Sequence, residues 1–518
     1  MDARAGQIQD VAVVGCGPVG ALLANLLGRD GLSTLVFERE REVYRLPRAV
    51  HFDHEVMRIF QSVGLSEHAI GDTAPLEGCE FWNADREILF RFGFDQGITN
   101  QGWRQDYMFH QPALEAALRD AAAKREGVAI YLEHEVTHLE EREDHVILAV
   151  RDLASGERRT LRTRYLVGCD GAGSFVRRAA GLPLEDLGFD EPWLVVDATI
   201  RKPRAELGLP GPAIQLCDPA RPVTFVPVAG PYIRWEFMLK PGETNDEMLR
   251  SERVNELVAA WVDPREVEVI RSAVYEFHAL VATRWSTRRV FLVGDAAHQM
   301  PPFLGQGLCT GIRDAANLAW KLRLVLRGAA SPAILESYQP EREPQVRGVI
   351  GLAIEMGRII CTQDPATAAA RDAELLSRGE RDRPTPELPG FASGLLQPGS
   401  ELAGRLGLQA RVHGPDGAAA LLDDVVGPGF SLLARGPKPP ALGAAARRVL
   451  ERVGVRLVTL GPGFDLDGAY ASWLDRHGCD AVLIRPDHRV FGAAAGAGAA
   501  ASLLEALDRA LTADPPPG

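Results

Sequence analysis

Gly15-Cys16-Gly17-Pro18-Val19-Gly20 follows a short apolar run and opens a stretch of helical spacing. Backbone N–H groups at a helix N-terminus can meet a diphosphate in such a place. The first glycine permits the tight turn, the second lets the backbone approach the ligand, and the third lets helix and strand pack closely. Glu38 ends the next apolar run, about twenty residues further on, where a carboxylate takes the hydroxyls of a ribose. A carboxylate there, rather than a basic residue, suits an unphosphorylated ribose and hence FAD or NAD; Arg39 beside it is a further candidate for the nucleotide site. Two later strand ends carry more chemistry. Tyr165 to Arg177 runs through Asp170-Gly171, and Val290 to Gly307 runs through Gly294-Asp295, Pro302 and Gly305-Gln306-Gly307. Asp295 at a strand terminus can accept hydrogen bonds from a polyol, and the glycines let a flat ring reach the backbone. A helix starting near Gly311 aims its positive end at charge developing on that ring. His278, in Tyr275-Glu276-Phe277-His278-Ala279, reads in two ways: a base or hydrogen-bond partner for a bound substrate, or a satisfied histidine on an alternating strand. No His/Asp/Glu spacing suggests a metal, and no GxSxG suggests a hydrolase.

These residues need elements to hold them. Asp10 to Phe37 reads as strand, glycine turn, helix and strand, the opening of a doubly wound sheet in an α/β chain. Segments around Ala129–Leu132, Val146–Val150, Tyr165–Val167, Leu194–Ile200 and Ile233–Leu239 suggest a second, more antiparallel sheet. A helix is expected from about Gly311 to Arg327, with Ile312, Ala315, Leu318, Ala319 and Leu322 on one face. The Pro- and charge-rich stretch 376–398 reads as a linker. Beyond it, 399–518 has the pattern of a small α/β domain, with strands at Phe430–Leu433, Arg456–Thr459 and Ala481–Ile484. The Ala/Gly run from Gly492 to Ala501 reads as a helix start, and the tail from Asp514 as frayed.

The chain has 518 residues, enough for two or three domains. Its net charge of -13 gives no electrostatic reason to expect nucleic acid or an anionic membrane as partner. Seven dispersed cysteines without CxxC read as reduced thiols and a cytoplasmic protein. The apolar stretch Val11 to Gly28 is broken by glycines and Pro18 and follows an acidic residue, which favours a buried strand and helix over an anchor.

The GxGxxG with Glu38, the Cys169-Asp170-Gly171 segment and Gly294-Asp295-Ala296-Ala297-His298 followed by Pro301-Pro302 and Gly305-Gln306-Gly307 together resemble the para-hydroxybenzoate-hydroxylase-like (class A) flavoprotein monooxygenases. The resemblance covers about residues 10–360. A nearer likeness is to 3-(3-hydroxyphenyl)propionate hydroxylases, carried by Pro47-Arg48-Ala49, Phe109-His110-Gln111-Pro112, Trp235-Glu236-Phe237-Met238 and the run from Gly311 to Lys321. Val482 to Gly492 resembles the thioredoxin-like tail domain of phenol hydroxylases.

The resemblance implies a Rossmann-type FAD-binding domain over 8–185 and 280–375. It also implies an interleaved, mostly antiparallel substrate-binding domain over 186–279 with part of 50–105, and a thioredoxin-like domain at the end. Glu38 would hold the adenosine ribose, Arg48 and Gln111 the ribityl-diphosphate, and Asp295 the ribityl chain. The Gly307 and Leu308 amides would meet the isoalloxazine, with only a backbone contact expected at Cys309, where many relatives have Asn. Asp170 and Arg177 match a motif linked with FAD and the nicotinamide nucleotide. The activity implied is hydroxylation of a phenol, with NADH or NADPH as reductant, O₂ as oxidant and a flavin C4a-hydroperoxide as the oxygen donor. A phenol with a short carboxylate chain would give a catechol. Hydroxylation of a larger aromatic natural product and a non-catalytic FAD-binding protein are the rivals. A homodimer supported by the tail domain, which lacks CxxC, is a further expectation.

Overall fold

The computed structural model describes residues 7–44, 48–65, 71, 73–93, 97–386, 388–461 and 463–513. Pro47 and the tail 514–518 lie outside the described residues. The first sheet is built on Gln9–Val14, which pairs in parallel with Thr34–Glu38 on one side and Arg158–Gly168 on the other. Val128–Leu132 extends it beyond Thr34–Glu38, while Val290–Leu292 and Val146–Asp152 both pair with Arg158–Gly168. The nearly continuous apolar runs are those of strands covered on both faces. Helix Pro18–Arg29 lies against this sheet: proline at its first turn pre-sets the backbone, and Leu22, Leu23, Leu26 and Leu27 are buried. Each such leucine contributes about 1.5–3 kcal/mol.

A nine-stranded sheet forms the second layer, with Leu184–Ile200 between Tyr232–Met238 and Val267–Ala282. Val223–Pro227, Ala213–Leu216, Gly78–Trp82 and Ile88–Gly93 continue it. Three of the segments expected in this second sheet, around 129–132, 146–150 and 165–167, instead belong to the first. Apolar alternation marks a strand as half-buried but says nothing about which strand it will pair with.

Along Tyr232–Met238 the pleat sorts side chains to two faces. Ile233, Trp235 and Phe237 join an apolar core with Val254, Leu257 and Val258 of helix Ser251–Ala259. Arg234 and Glu236 face the opposite way, into the large cavity.

Helix Gly307–Leu326 starts four residues earlier than the expected Gly311, because Gly305, with φ of +63°, turns the chain directly into it. Short strand Asp382–Arg383 adds the segment 376–398 to the edge of the nine-stranded sheet, and Phe391 and Leu395 in that segment are buried, so it is docked rather than free. The last domain has a four-stranded sheet in the order Arg456–Leu460, Ser431–Arg435, Ala481–Ile484, Val490–Ala494. Only the first pair is parallel. Leu432 and Leu483 face helices Ala444–Val453 and Ala499–Thr512, while Leu433 and Val482 face Ala469–Arg476. The Ala/Gly run 492–501 therefore divides between a strand end, a turn and a helix start. No helix among the described residues is long and apolar enough to cross a membrane.

Candidate functional site

One cavity of about 1200 Å³ runs between the two sheets. At one end lie Gly17, Pro18 and Val19 at the N-terminus of helix Pro18–Arg29. A Cβ on Gly17 would meet nothing within 4 Å, so the space above the helix N-terminus is open, whereas one on Gly20 would sit 2.1 Å from the Gly15 carbonyl oxygen. Gly15 itself has φ of +95° and lies against the Cys169 backbone. These two glycines make the turn; Gly17 clears the ligand side.

Glu38 stands behind this loop: its Oε2 accepts the Cys16 N–H at 2.8 Å and its Oε1 accepts the Glu40 N–H at 3.0 Å. Arg119 donates to the Cys16 carbonyl at 2.8 Å and pairs with Glu115 at 2.6 Å, holding the turn from its other edge. Neither Glu115 nor Arg119 was singled out in the sequence, although their spacing of four on a helix was visible. Arg39 is exposed and pairs with Glu40 at 3.3 Å.

Gln111 works through the backbone. Its Oε1 accepts the N–H groups of Arg48 and Ala49 at 2.8 and 2.7 Å, fixing the segment that passes over the cavity. Arg234 donates to the Arg48 carbonyl at 2.7 Å and pairs with Asp197 at 2.7 Å, so the second sheet grips the same segment. Asp170 is placed otherwise: Ser174 donates to one carboxylate oxygen at 2.5 Å and the Val176 N–H to the other at 3.0 Å. It braces the start of the short helix Phe175–Ala179, whose N-cap is Ser174, and does not line the cavity, which its neighbours Cys169 and Gly171 do. Arg177 ties that turn to the Ala296 carbonyl at 2.9 Å.

Asp295 is exposed into the cavity, and among the described residues no protein donor hydrogen-bonds to its carboxylate. Crowding by protein raises its pKa, with His298 and Arg48 opposing. Preceding it, Gly294 has φ of +65°, and its N–H is held by Asp314 at 3.2 Å. His298 is buried and donates to Asp314 at 2.7 Å, which makes it a strut of this turn. Pro302, Gly305, Gly307 and Leu308 line the same cavity as Arg48. Gly307 opens its helix with no side-chain cap, and a Cβ there would approach only Met300, at 3.9 Å. Unpaired N–H groups at this end are available to a planar anionic or electron-rich ring. Cys309 turns inward, buried beside the His51 carbonyl.

Phe81, Phe92, Met108, Phe277 and Phe303 give the remaining wall an aromatic, apolar character. His278 lines it too. Its Nδ1 pairs with Asp190 at 2.5 Å, and the side chain is 34% exposed, which places it toward solvent. Glu236, which the sequence marks only through a family likeness, is a buried carboxylate of this wall, at 6% exposure. Burial pushes its pKa up to about 7, with Arg234 opposing and Asp197 adding.

The donors and spaces present fit FAD: an open helix N-terminus for the diphosphate, a cavity-facing carboxylate for the ribityl chain, and a glycine-lined helix start for the ring. A family model described as an FAD binding domain matches residues 9–353, and one described as the HcaD C-terminal domain matches 404–510. A probable NADH-specific resorcinol 4-hydroxylase of Rhodococcus jostii is 37% identical, over 98% of this chain and 96% of that protein. A 3-(3-hydroxy-phenyl)propionate/3-hydroxycinnamic acid hydroxylase of Burkholderia vietnamiensis is 34% identical, over 93% and 92%. Among solved structures, aklavinone-11 hydroxylase in complex with FAD and aklavinone superposes with a TM-score of 0.79 at 27% identity, covering 97% of this chain and 99% of that one. The flavin-dependent monooxygenase PieE shares the fold, with a TM-score of 0.81 at 24% identity over 98% and 99%. The matched residues include the glycine turn, the Asp170 turn and the Asp295 turn, and the chain belongs to the FAD-binding domain family of flavoprotein monooxygenases.

Proposed function

We propose that this chain is an FAD-dependent aromatic hydroxylase that uses NADH or NADPH and O₂ to add a hydroxyl to a compact phenol, ortho to the existing one. The observation that carries this reading is the single cavity, which joins an open helix N-terminus, the Asp295 carboxylate and an aromatic wall holding a buried acid. FAD supplies electron transfer from the nicotinamide and activation of O₂. The chain's own residues orient FAD and phenol and keep water out of the aromatic end, since water there would divert oxygen to H₂O₂.

In this reading the helix behind Gly17, Pro18 and Val19 takes the diphosphate. Glu38 takes the ribose with lone pairs left free by its two backbone donors, and Arg39 flanks it at the surface. Arg48, positioned by Gln111, and Asp295 take the ribityl-diphosphate, while Pro302, Gly305, Gly307 and Leu308 frame the isoalloxazine. Gly15, Gly20 and Gly294 set the turns. Asp170 holds its turn by accepting from Ser174 and from the Val176 N–H, so its influence on FAD would pass through the backbone of Gly171. His278, at the outer margin of the wall, would contact the substrate or guard its approach; Asp190 fixes its Nδ1.

The first sheet's parallel order supports a Rossmann-type assignment. The strand order and single parallel pair of the last sheet support a thioredoxin-like one. Resorcinol and 3-(3-hydroxyphenyl)propionate are the substrates to try first. The test follows NADH oxidation, H₂O₂ release and product with each, using purified flavoprotein. Phenol-stimulated oxidation with little peroxide and a new ortho-dihydroxylated product is expected. Oxidation unaffected by any small phenol would overturn the compact-substrate reading and favour a larger aromatic. His278→Ala should slow hydroxylation more than it weakens FAD binding; equal activity would leave His278 a structural residue.

A further inference from the structure

Within the cavity, one ionisable group is buried, faces the aromatic wall and is left without a protein hydrogen-bond donor among the described residues. Glu236 is 6% exposed, on strand Tyr232–Met238. The pleat that buries Trp235 and Phe237 in the core behind turns Glu236 toward the cavity. The groups facing it come from every neighbouring element. On its own strand, Arg234 Nη1 lies 3.8 Å from its Oε1, but that guanidinium is already committed to Asp197 and to the Arg48 carbonyl. On Leu184–Ile200, Asp197 adds negative charge, and on Val267–Ala282, Arg271 lies 3.7 Å from Asp197. On Val223–Pro227, Thr224 is paired across the sheet with Glu236 and spends its hydroxyl on Gln215 at 2.6 Å. A buried carboxylate with one long ion pair and no hydrogen bond is costly unless something outside the chain completes it. The partner that fits an apolar, phenylalanine-lined space and offers one proton to an acceptor is a ring hydroxyl.

We propose that Glu236 is the catalytic base of the hydroxylation: its carboxylate accepts the hydroxyl proton of the bound phenol. This rests on the aromatic-hydroxylase reading above. The phenolic O–H bond breaks and its proton goes to a Glu236 oxygen, while the electron pair left on oxygen enters the ring. That enriches the ortho carbon, which forms the new C–O bond with one atom of O₂. The ring C–H proton then leaves to restore aromaticity. The other oxygen atom ends as water, with the two electrons of NADH or NADPH delivered through FAD. Burial helps in this role, because a carboxyl raised to about 7 is a stronger base than one at the ordinary 4.5 and stands nearer a phenol's own value of about 10. His278 is less suited, since it lies at the solvent side with its Nδ1 held by Asp190.

The test uses the holoenzyme with resorcinol across a pH series, comparing wild type, Glu236→Gln and Glu236→Asp. Wild-type kcat/KM should rise through an ionisation near pH 7. Glu236→Gln should lose that limb and about a hundredfold in hydroxylation, keep its FAD, and convert NADH oxidation into H₂O₂ release. Glu236→Asp should recover part of the rate. Hydroxylation within about threefold of wild type with the limb intact would overturn the proposal. A second measurement needs no turnover. A bound nitro-substituted resorcinol should ionise at lower pH in Glu236→Gln than in wild type, by about one unit, once the neighbouring negative charge is gone. Identical titrations would overturn the assignment even in a variant that hydroxylates poorly. Should wild type bind the dye with this difference yet hydroxylate no small phenol, the substrate reading fails while Glu236 keeps its place against the ring.

Discussion

Two carboxylates of the cavity do opposite things because their surroundings differ. Asp295 is exposed into the cavity, so its charge is available to a polyol, whereas Glu236 is buried. Removing a charged hydrogen-bond acceptor costs about 1.5–3 kcal/mol, so Asp295→Ala should weaken FAD binding roughly ten- to hundredfold. Flavin content after dialysis checks this, and unchanged retention would remove Asp295 from the FAD site. Glu236 offers a prediction about stability. Its folded pKa of about 7 lies above the ordinary 4.5, so between these values the native state binds more protons than the unfolded chain. Stability from this group is full below pH 4.5 and falls as pH rises through 7. At about 1.36 kcal/mol per pKa unit the loss reaches about 3 kcal/mol by pH 8. Glu236→Gln should therefore gain on wild type as pH rises from 5 to 8 in denaturant melts; a pH-independent difference would show that the carboxyl is not desolvated.

At the scale of elements, the glycine turn separates folding from binding. A methyl on Gly20 would collide with the Gly15 carbonyl, 2.1 Å away, at the point where helix and strand meet. A methyl on Gly17 would meet no protein atom. Gly20→Ala should destabilise the apoprotein as much as the holoprotein, by about 1–3 kcal/mol of overpacking, and so lower both melting temperatures. Gly17→Ala should leave the apoprotein melt unchanged and weaken FAD binding alone. Thermal melts with and without added FAD separate the two. The Gly307 helix follows the same logic at the ring end, where Arg313 braces its first turns: it bonds Gln306 at 3.1 Å, Glu55 at 2.7 Å and Asp53.

Across the whole molecule, that brace continues into the last domain. Arg489 pairs with Glu55 at 2.5 Å, and burial alone would raise the Glu55 carboxyl, but Arg489 and Arg313 hold it well below the usual range. Beside it, Arg485 lies between Glu341 and Asp487, each at 2.6 Å, fully buried near Trp320 and Phe391. Lys321 completes this cluster at 2.8 Å from Glu341, its pKa lowered by burial to about 8 against the pull of that carboxylate. Arg485, Asp487 and Arg489 of the tail domain thus spend their charges within the chain, bracing the helix Gly307–Leu326 whose first residues line the cavity. Removing one partner of a buried pair costs about 3–5 kcal/mol, so Arg485→Met should destabilise by that amount. The wild-type protein should unfold in one cooperative transition; two separated calorimetric transitions would mean the domains are energetically independent.

The nucleotide turn, the two later strand ends and the small last domain were readable in the sequence because each rests on local geometry. A glycine at a tight turn, a carboxylate at a strand end and an apolar run of given period carry their meaning within a dozen neighbours. Strand partnership was not readable: Val128–Leu132 and Val146–Asp152 look like members of the second sheet until the registers place them in the first. The same limit hid the functional weight of Glu236, whose neighbours Asp197, Thr224 and Arg271 come from three other strands, and the bond from Arg489 to Glu55, 434 residues apart in the chain. It also hid how Asp170 is used, since only the positions of Ser174 and Val176 show where its oxygens go. Burial and charge are sums over three-dimensional neighbours, so a pKa and the work of a buried acid are decided by the tertiary structure. A turn that clears space for a diphosphate is decided by the residues that make it.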